Sequence, residues 1–249
     1  GKIIVGGNFA FGGTNLARLN TNGALDATFA VSAGANGSIY SLALQPDGKV
    51  LVGGSFTSCN GQAATNLVRL TSSGAVDQTF NAAVLGIQFQ TSVRSILPLA
   101  DGRILIGGSF TNVNGVVRSN LARLLSNGGL DTNFVAAPNL NGAVMAMAAQ
   151  ADGKLLLGGG FNLPGAKGVA RLQADGSHDT SFDVGAGPNG SVNQLLLLPE
   201  GDVLVAGSFT LFNELPAKRL VVLRGAPAQP PAPAFLFFGR MADVFRLVF

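Results

Sequence analysis

One pattern limits what this chain can fold into: a β-forming run that ends in small residues and phenylalanine comes back five times. It reads KIIVGGNF from Lys2, KVLVGGSF from Lys49, RILIGGSF from Arg103, KLLLGGGF from Lys154 and DVLVAGSF from Asp202. The starts lie 47, 54, 51 and 48 residues apart. Spacing this regular marks a tandem array, in which a unit buries its apolar faces against its neighbours and cannot do so alone.

Inside a unit, short apolar runs alternate with tight turns. In the second unit the sequence predicts strand a over Ser38 to Gln45, strand b over Lys49 to Thr57, strand c from Asn66 and strand d from Val76. Pro46-Asp47-Gly48 and Ser72-Ser73-Gly74 each put Gly third in a three-residue loop, the chemistry of a hairpin whose type I turn ends in a left-handed Gly. Antiparallel units of this length are propeller blades, whereas solenoid coils run about 20–30 residues. The expectation is all-β: a β-propeller of about five four-stranded antiparallel blades, the first lacking strand a and the fifth a recognisable strand d. A closed, monomeric ring is the first choice, and an open arc cut from a longer array, with bare edges that associate, is the alternative.

Turn length fixes register. With Thr21-Asn22-Gly23 as the loop, Leu19 faces Leu25 and Arg18 faces Asp26. The same separation recurs for Arg69 and Asp77, Arg123 and Asp131, and Arg171 and Asp179, so four cross-strand ion pairs are predicted between c and d. As exposed pairs they would contribute about 0–1 kcal/mol each and serve register more than stability. Val222 stands where the fifth arginine would be. The double glycines suit close approach near a propeller axis. The phenylalanines after strand b and at the end of strand d read as core between blades.

The combination DGK-[IV]-L-[IV]-GGSFT, N-x-x-RL, a turn and [LV]-D-x-[TS]-F, as in Asp47 to Phe80, resembles the delta-60 repeat family of bacterial proteins. The resemblance covers nearly everything from Gly1 to Gly225, with the last copy the weakest. It implies tandem propeller-like repeats in large secreted or surface proteins of bacteria, without an established catalytic activity. The double glycine also resembles kelch repeats, but the Tyr and Trp that those units carry downstream are not filled here.

Composition narrows the function. There are 16 Lys and Arg against 13 Asp and Glu, scattered singly, so a nucleic-acid partner is not expected. One cysteine, Cys59, forms no internal disulfide, and no Cys/His spacing suits a metal, so neither metal nor cofactor is expected. The chain opens inside a strand pattern at Gly1-Lys2-Ile3, which reads as a processed precursor or a fragment. Residues 1–225 read as the repeat domain and 226–249 as a Pro/Ala-rich linker with a short hydrophobic tail. At fifteen residues with three charges, that tail is too short for a membrane span.

The chemistry-bearing residues are isolated. His178 reads as an exposed turn histidine and Cys59 as a free thiol without a histidine partner. Glu is limited to Glu200 and Glu214, and most Asp residues sit in repeated turns, better explained by side-chain turn bonds than by calcium. The expectation is therefore that the chain is not an enzyme. A site, if present, is expected on the face of the longer loops, Ser58 to Thr65, Asn112 to Ser119, Asn162 to Lys167 and Phe212 to Ala217. The candidate contacts there are Asn60, Asn114, Asn162 and Asn213, with Asn36, Asn141 and Asn189 nearby. A protein-interaction or scaffolding module at the bacterial surface or outside the cell is the leading reading, and a lectin-like carbohydrate binder the alternative.

Overall fold

In the computed structural model, residues 1–10, 14–29, 34–86, 91–136 and 140–224 are described, and within them every regular element is a strand. Units two to five each form a three-stranded antiparallel sheet in the order a-b-c. These are Ser38–Leu44, Val50–Ser55 and Leu67–Leu70; Ser92–Pro98, Ile104–Ser109 and Leu121–Leu124; Val144–Ala149, Leu155–Leu163 and Ala166–Leu172; and Val192–Leu197, Val203–Gly207 and Leu220–Leu223. The first unit pairs Ile3–Ala10 with Thr14–Leu19. From the second unit on, strand a packs on that of the next in chain order, and strand b of the first unit packs on strand a of the second, so the five sheets are blades of a β-propeller with strand a innermost. Alternation along strand b puts Leu51, Leu105 and Leu156, all fully buried, between blades. The linker and tail expected over 226–249 lie outside the described residues.

Strand d is shorter than expected. In each of the first four units it reaches one bridged residue, Leu25, Val76, Leu130 or His178, opposite Leu19, Leu70, Leu124 or Leu172. The next residue ends it. Each aspartate Oδ1 accepts the backbone N–H two residues on, from Thr28, Thr79, Asn133 or Ser181, and that turn bends the chain out of the sheet. A blade is thus three strands with a one-residue fourth.

The same aspartates hold the seams. Nε of Arg18, Arg69, Arg123 and Arg171 donates to Oδ2 of Asp26, Asp77, Asp131 and Asp179 at 2.6, 2.8, 2.7 and 2.8 Å. Each guanidinium also lies over a phenylalanine of strand d, Phe29, Phe80, Phe134 or Phe182. Three reach into the next blade, where Nη1 of Arg18, Arg69 and Arg123 donates to the carbonyls of Ser72, Ser126 and Ala174, all at 2.6 Å. Far from being exposed, the side chains of Arg123 and Asp131 are each 5% accessible. A second cation from the start of strand b, Lys2, Lys49, Arg103 or Lys154, joins each carboxylate. For Asp77, burial pushes the carboxyl up, but hydrogen bonds from Thr79, Lys49 and Arg69 outweigh it and hold the group well below the usual range. At Asp26 the Lys2 ammonium is the largest of the influences that do the same.

The two glycines of strand b have different reasons. A Cβ on Gly6, Gly53, Gly107 or Gly158 would stand 2.7 Å from Ile39, Val93, Val144 or Val192 in the next blade. On Gly54, Gly108, Gly159 or Gly207 it would collide with a backbone carbonyl of the unit's own strand a, that of Ser38, Ser92, Ala143 or Ser191. Gly7, in the unit without strand a, would meet only the Phe9 ring, at 3.2 Å.

Gly108→Ala is expected to destabilise the protein by about 1–3 kcal/mol or more, and Gly7→Ala by less than about 0.5 kcal/mol, as read by urea melts. A second expectation concerns acid. Carboxylates whose native pKa is depressed contribute stability in full above the unfolded carboxylate range, and lose it as pH falls toward the native value. The thermal midpoint should be level from about pH 5 to 7 and fall below about pH 4. Asp77→Asn should lower the plateau and flatten the acid limb, as followed by circular dichroism.

Candidate binding site at the propeller axis

The longer loops between b and c are themselves small ribbons. Ser58–Cys59 pairs with Gln62–Ala63, Asn112–Val113 with Val116–Val117, and Leu211–Phe212 with Leu215–Pro216. In the fourth unit the ribbon continues strands b and c, Asn162 facing Lys167. Asn60-Gly61 and Asn114-Gly115 have positive φ at both residues (50° and 73°, 52° and 83°), the two-residue hairpin turn that Asn-Gly favours. That dipeptide was the signal for these ribbons in the sequence, and reading the segments as loops passed it over. Glu214 takes the glycine's place at φ 64°, where a side chain is strained.

Most of the candidate asparagines shape this face. Asn36 Oδ1 accepts the N–H groups of Thr57 and Ser58, and Asn189 Oδ1 those of Thr210 and Leu211. Asn141 Oδ1 accepts the Asn162 N–H, and Asn213 Oδ1 that of Gly187. Asn60 bonds the Gly34 N–H and the Gly74 carbonyl, and Asn114 the Ala83 N–H and the Gly128 carbonyl. These amides tie each ribbon to the segment entering strand a, while Asn162 is exposed. Another set escaped the sequence reading: Asn15, Asn66 and Asn120, which begin N-x-x-R-L. They sit at φ 64° to 66° and donate to carbonyls of the following segment, at Ala35, Val84 and Leu140.

The geometry converges at the axis. Where strand a passes the double glycine, its ladder skips one residue in each complete unit: Tyr40, Arg94, Met145 and Asn193. Such a bulge frees its residue from pairing and re-aims the side chain. All four positions lie on the inner strands, near the end where the ribbons emerge, and three of them meet in one cavity. Tyr40, Arg94 and Met145 share a cavity of about 300 Å³ with Ser55, Thr91, Ser92, Ser109 and Ala143. Arg94 is exposed, and its guanidinium carbon lies 4.8 Å from the centroid of the Tyr40 ring. Among the described residues it makes no ion pair, unlike the seam arginines. Ser92 is 2% exposed, and its hydroxyl has no hydrogen-bond partner among the described residues.

Elsewhere the chemistry is thin. Cys59 is buried beside the turn of its ribbon, and burial pushes its thiol up to about 11. His178 is half-buried opposite Leu172, more enclosed than the exposed turn expected, with Nε2 shielded and without a hydrogen-bond partner among the described residues. Glu200 and Glu214 are exposed. Among the described residues no group of His, Cys, Asp and Glu could hold a metal, and no helix is long and apolar enough to cross a membrane. A larger cavity, about 460 Å³, lies at the seam of units four and five beside Arg171, Phe182 and Arg224. In the earlier seams the matching place holds the next unit's turn between c and d. Here that turn would begin beyond Arg224, outside the described residues.

Repeat, blade and seam together define a β-propeller repeat domain. The chain belongs to the family described as domain of unknown function (DUF5122) beta-propeller, whose model matches residues 1–29, 45–80, 99–134 and 150–182, more than half of the chain. No curated protein matches the sequence. Similar solved structures include the extracellular domain of a protein assigned as a one-component system of B. thetaiotaomicron, at 15% identity and TM-score 0.48, covering 82% of this chain and 24% of that one. A protein of unknown function from Bacteroides caccae matches at 14% and 0.43, covering 82% and 64%. Streptogramin B lyase matches at 16% and 0.42, covering 71% and 50%. This chain therefore spans less than two thirds of each of these proteins, and likeness at that level transfers no ligand or reaction.

The expectation that the chain is not an enzyme is corrected by these comparisons. Besides the lyase, the similar structures include a protein assigned as a gluconolactonase, at 16% identity, and puromycin hydrolase, at 20%. The fold gives no ground for excluding catalysis, although by itself it confers none. The expectation rested on the lack of a repeated His, Cys or Glu cluster. An axial site draws single residues from different units, as Tyr40, Arg94 and Met145 show, and needs no such cluster.

Native Cys59 is expected to react with iodoacetamide at pH 8 about 100-fold more slowly than the unfolded chain, since burial removes both thiolate and access. Mass spectrometry of timed samples, with and without urea, reads the ratio.

Proposed function

We propose that this chain is a propeller repeat module that mediates binding or scaffolding at the bacterial surface or outside the cell, through the axial mouth on its ribbon face. Residues 1–225 would form the module and 226–249 a linker and tail. One observation carries the reading: units two to five share the same three-stranded frame and the same inner bulge, yet the residue that the bulge turns out of the ladder differs from unit to unit, as Tyr40, Arg94, Met145 and Asn193. Positions excused from pairing and core packing are free to be chosen for a ligand. The delta-60 resemblance of the motifs supports the extracellular setting. Most loop amides are engaged in holding the ribbons, which leaves them less free to meet a ligand than Tyr40 and Arg94.

The test is a screen of the intact protein on a glycan array and on a displayed peptide library, repeated with Tyr40→Ala/Met145→Ala and with Asp47→Ser/Asp152→Ser on the opposite face. Signals weakened at least tenfold by the axial pair and kept by the other support the reading. Signals lost only with the opposite-face pair overturn it, as do blanks on both platforms from folded protein.

A further inference from the structure

We infer that the axial cavity is a site for a carboxylate-bearing sugar, gripped by Arg94. The inference rests on the reading of the axial mouth as a binding surface and adds the ligand's class. Four features converge on it. Arg94 is turned out of the ladder by its bulge, is exposed, and makes no ion pair among the described residues. Every arginine of the seams, by contrast, is matched to an aspartate. A guanidinium presents a planar fork that takes a carboxylate through two parallel hydrogen bonds. Tyr40, 4.8 Å away, backs that plane and restricts its orientation, so less freedom is lost on binding.

The rest of the wall suits a sugar ring. Ser55 and Ser109, both partly exposed, bring hydroxyls to the wall, which both donate and accept, while Tyr40 and Met145 supply an apolar side for a ring face. A volume of about 300 Å³ is at the small end of ligand sites, enough for one ring and its substituents.

Calorimetric titration of the intact protein tests this with four probes: digalacturonate, its neutral counterpart digalactose, a hexa-aspartate peptide and inorganic sulfate. The expected result is binding of digalacturonate at least tenfold tighter than of the other three, weakening as salt is raised. Arg94→Gln should reduce that affinity at least tenfold and Arg94→Lys by less. Arg94→Gln should leave the melting temperature of the free protein unchanged while it weakens digalacturonate binding, a combination that a structural role alone does not produce. Equal binding of digalactose, preference for sulfate, no binding of digalacturonate, or indifference to Arg94→Gln overturns the inference. Preference for hexa-aspartate overturns the sugar and points to an acidic protein partner, leaving the axial reading in place. Digalacturonate binding that survives Tyr40→Ala/Met145→Ala overturns both.

Discussion

The close approach of strand b to its own strand a, at the second glycine of each pair, is the constraint from which the rest of the architecture follows. A side chain at Gly54, Gly108, Gly159 or Gly207 would occupy the place of a strand a carbonyl. At that approach the ladder slips by one residue, and the slip ejects Tyr40, Arg94, Met145 and Asn193 from pairing. Strand a is also the strand that packs on the preceding blade, against the first glycine of that blade's pair. One dipeptide therefore sets the blade-to-blade distance, the bulge, and the row of side chains freed along the inner strands. The candidate site is a by-product of the frame, which is why every complete unit supplies one position to it.

The carboxylate clamp works under a comparable all-or-none condition. Asp77 and Asp131 are buried, and their charge is tolerable only because two cations and a backbone N–H converge on each. Removing one partner from such a cluster leaves a buried charge short of compensation, so intermediate sequences are disfavoured. The fifth unit bears this out. Val222 replaces the arginine, Asp202 replaces the strand b cation and pairs with Arg224, Ala206 replaces the first glycine, and Arg219 takes the positive-φ asparagine's place. The face these changes leave is apolar, with Leu196, Leu220 and Val222 exposed at 56%, 53% and 46%. That face lacks the arginine that reaches from each of the first three units into the next blade.

Much of this was legible in the sequence, and the reasons for the rest are specific. Fixed spacing exposed the repeat, and three-residue turns with Gly third fixed which residues face each other, Leu19 with Leu25 and Arg18 with Asp26. Depth was not legible. The separation of Arg69 from Asp77 reads the same on a surface as in a buried seam, and only the neighbouring blade, lying over it with the Ser126 carbonyl, makes the difference. The one-residue strand d was hidden because Asp-x-[TS]-F alternates like a strand, while the aspartate side chain competes for the backbone and bends it. The bulges were hidden for the same kind of reason: a skipped residue leaves the alternation of SIYSLALQ looking continuous.

The mistaken exclusion of catalysis has the same root. A search for chemistry inside one unit treats the unit as the functional element, whereas a propeller divides the labour, each unit building the frame and the axis collecting one free side chain from each. Tyr40 and Arg94 are separated by a whole repeat in sequence and by 4.8 Å in space. Neither is notable alone: an exposed tyrosine and an exposed arginine are common on any surface. Together they place a cation over an aromatic ring beside a cavity, an arrangement that neither unit holds alone. In arrays of this kind the informative positions are those where near-identical units disagree, and at the axis the fold places these disagreements next to one another.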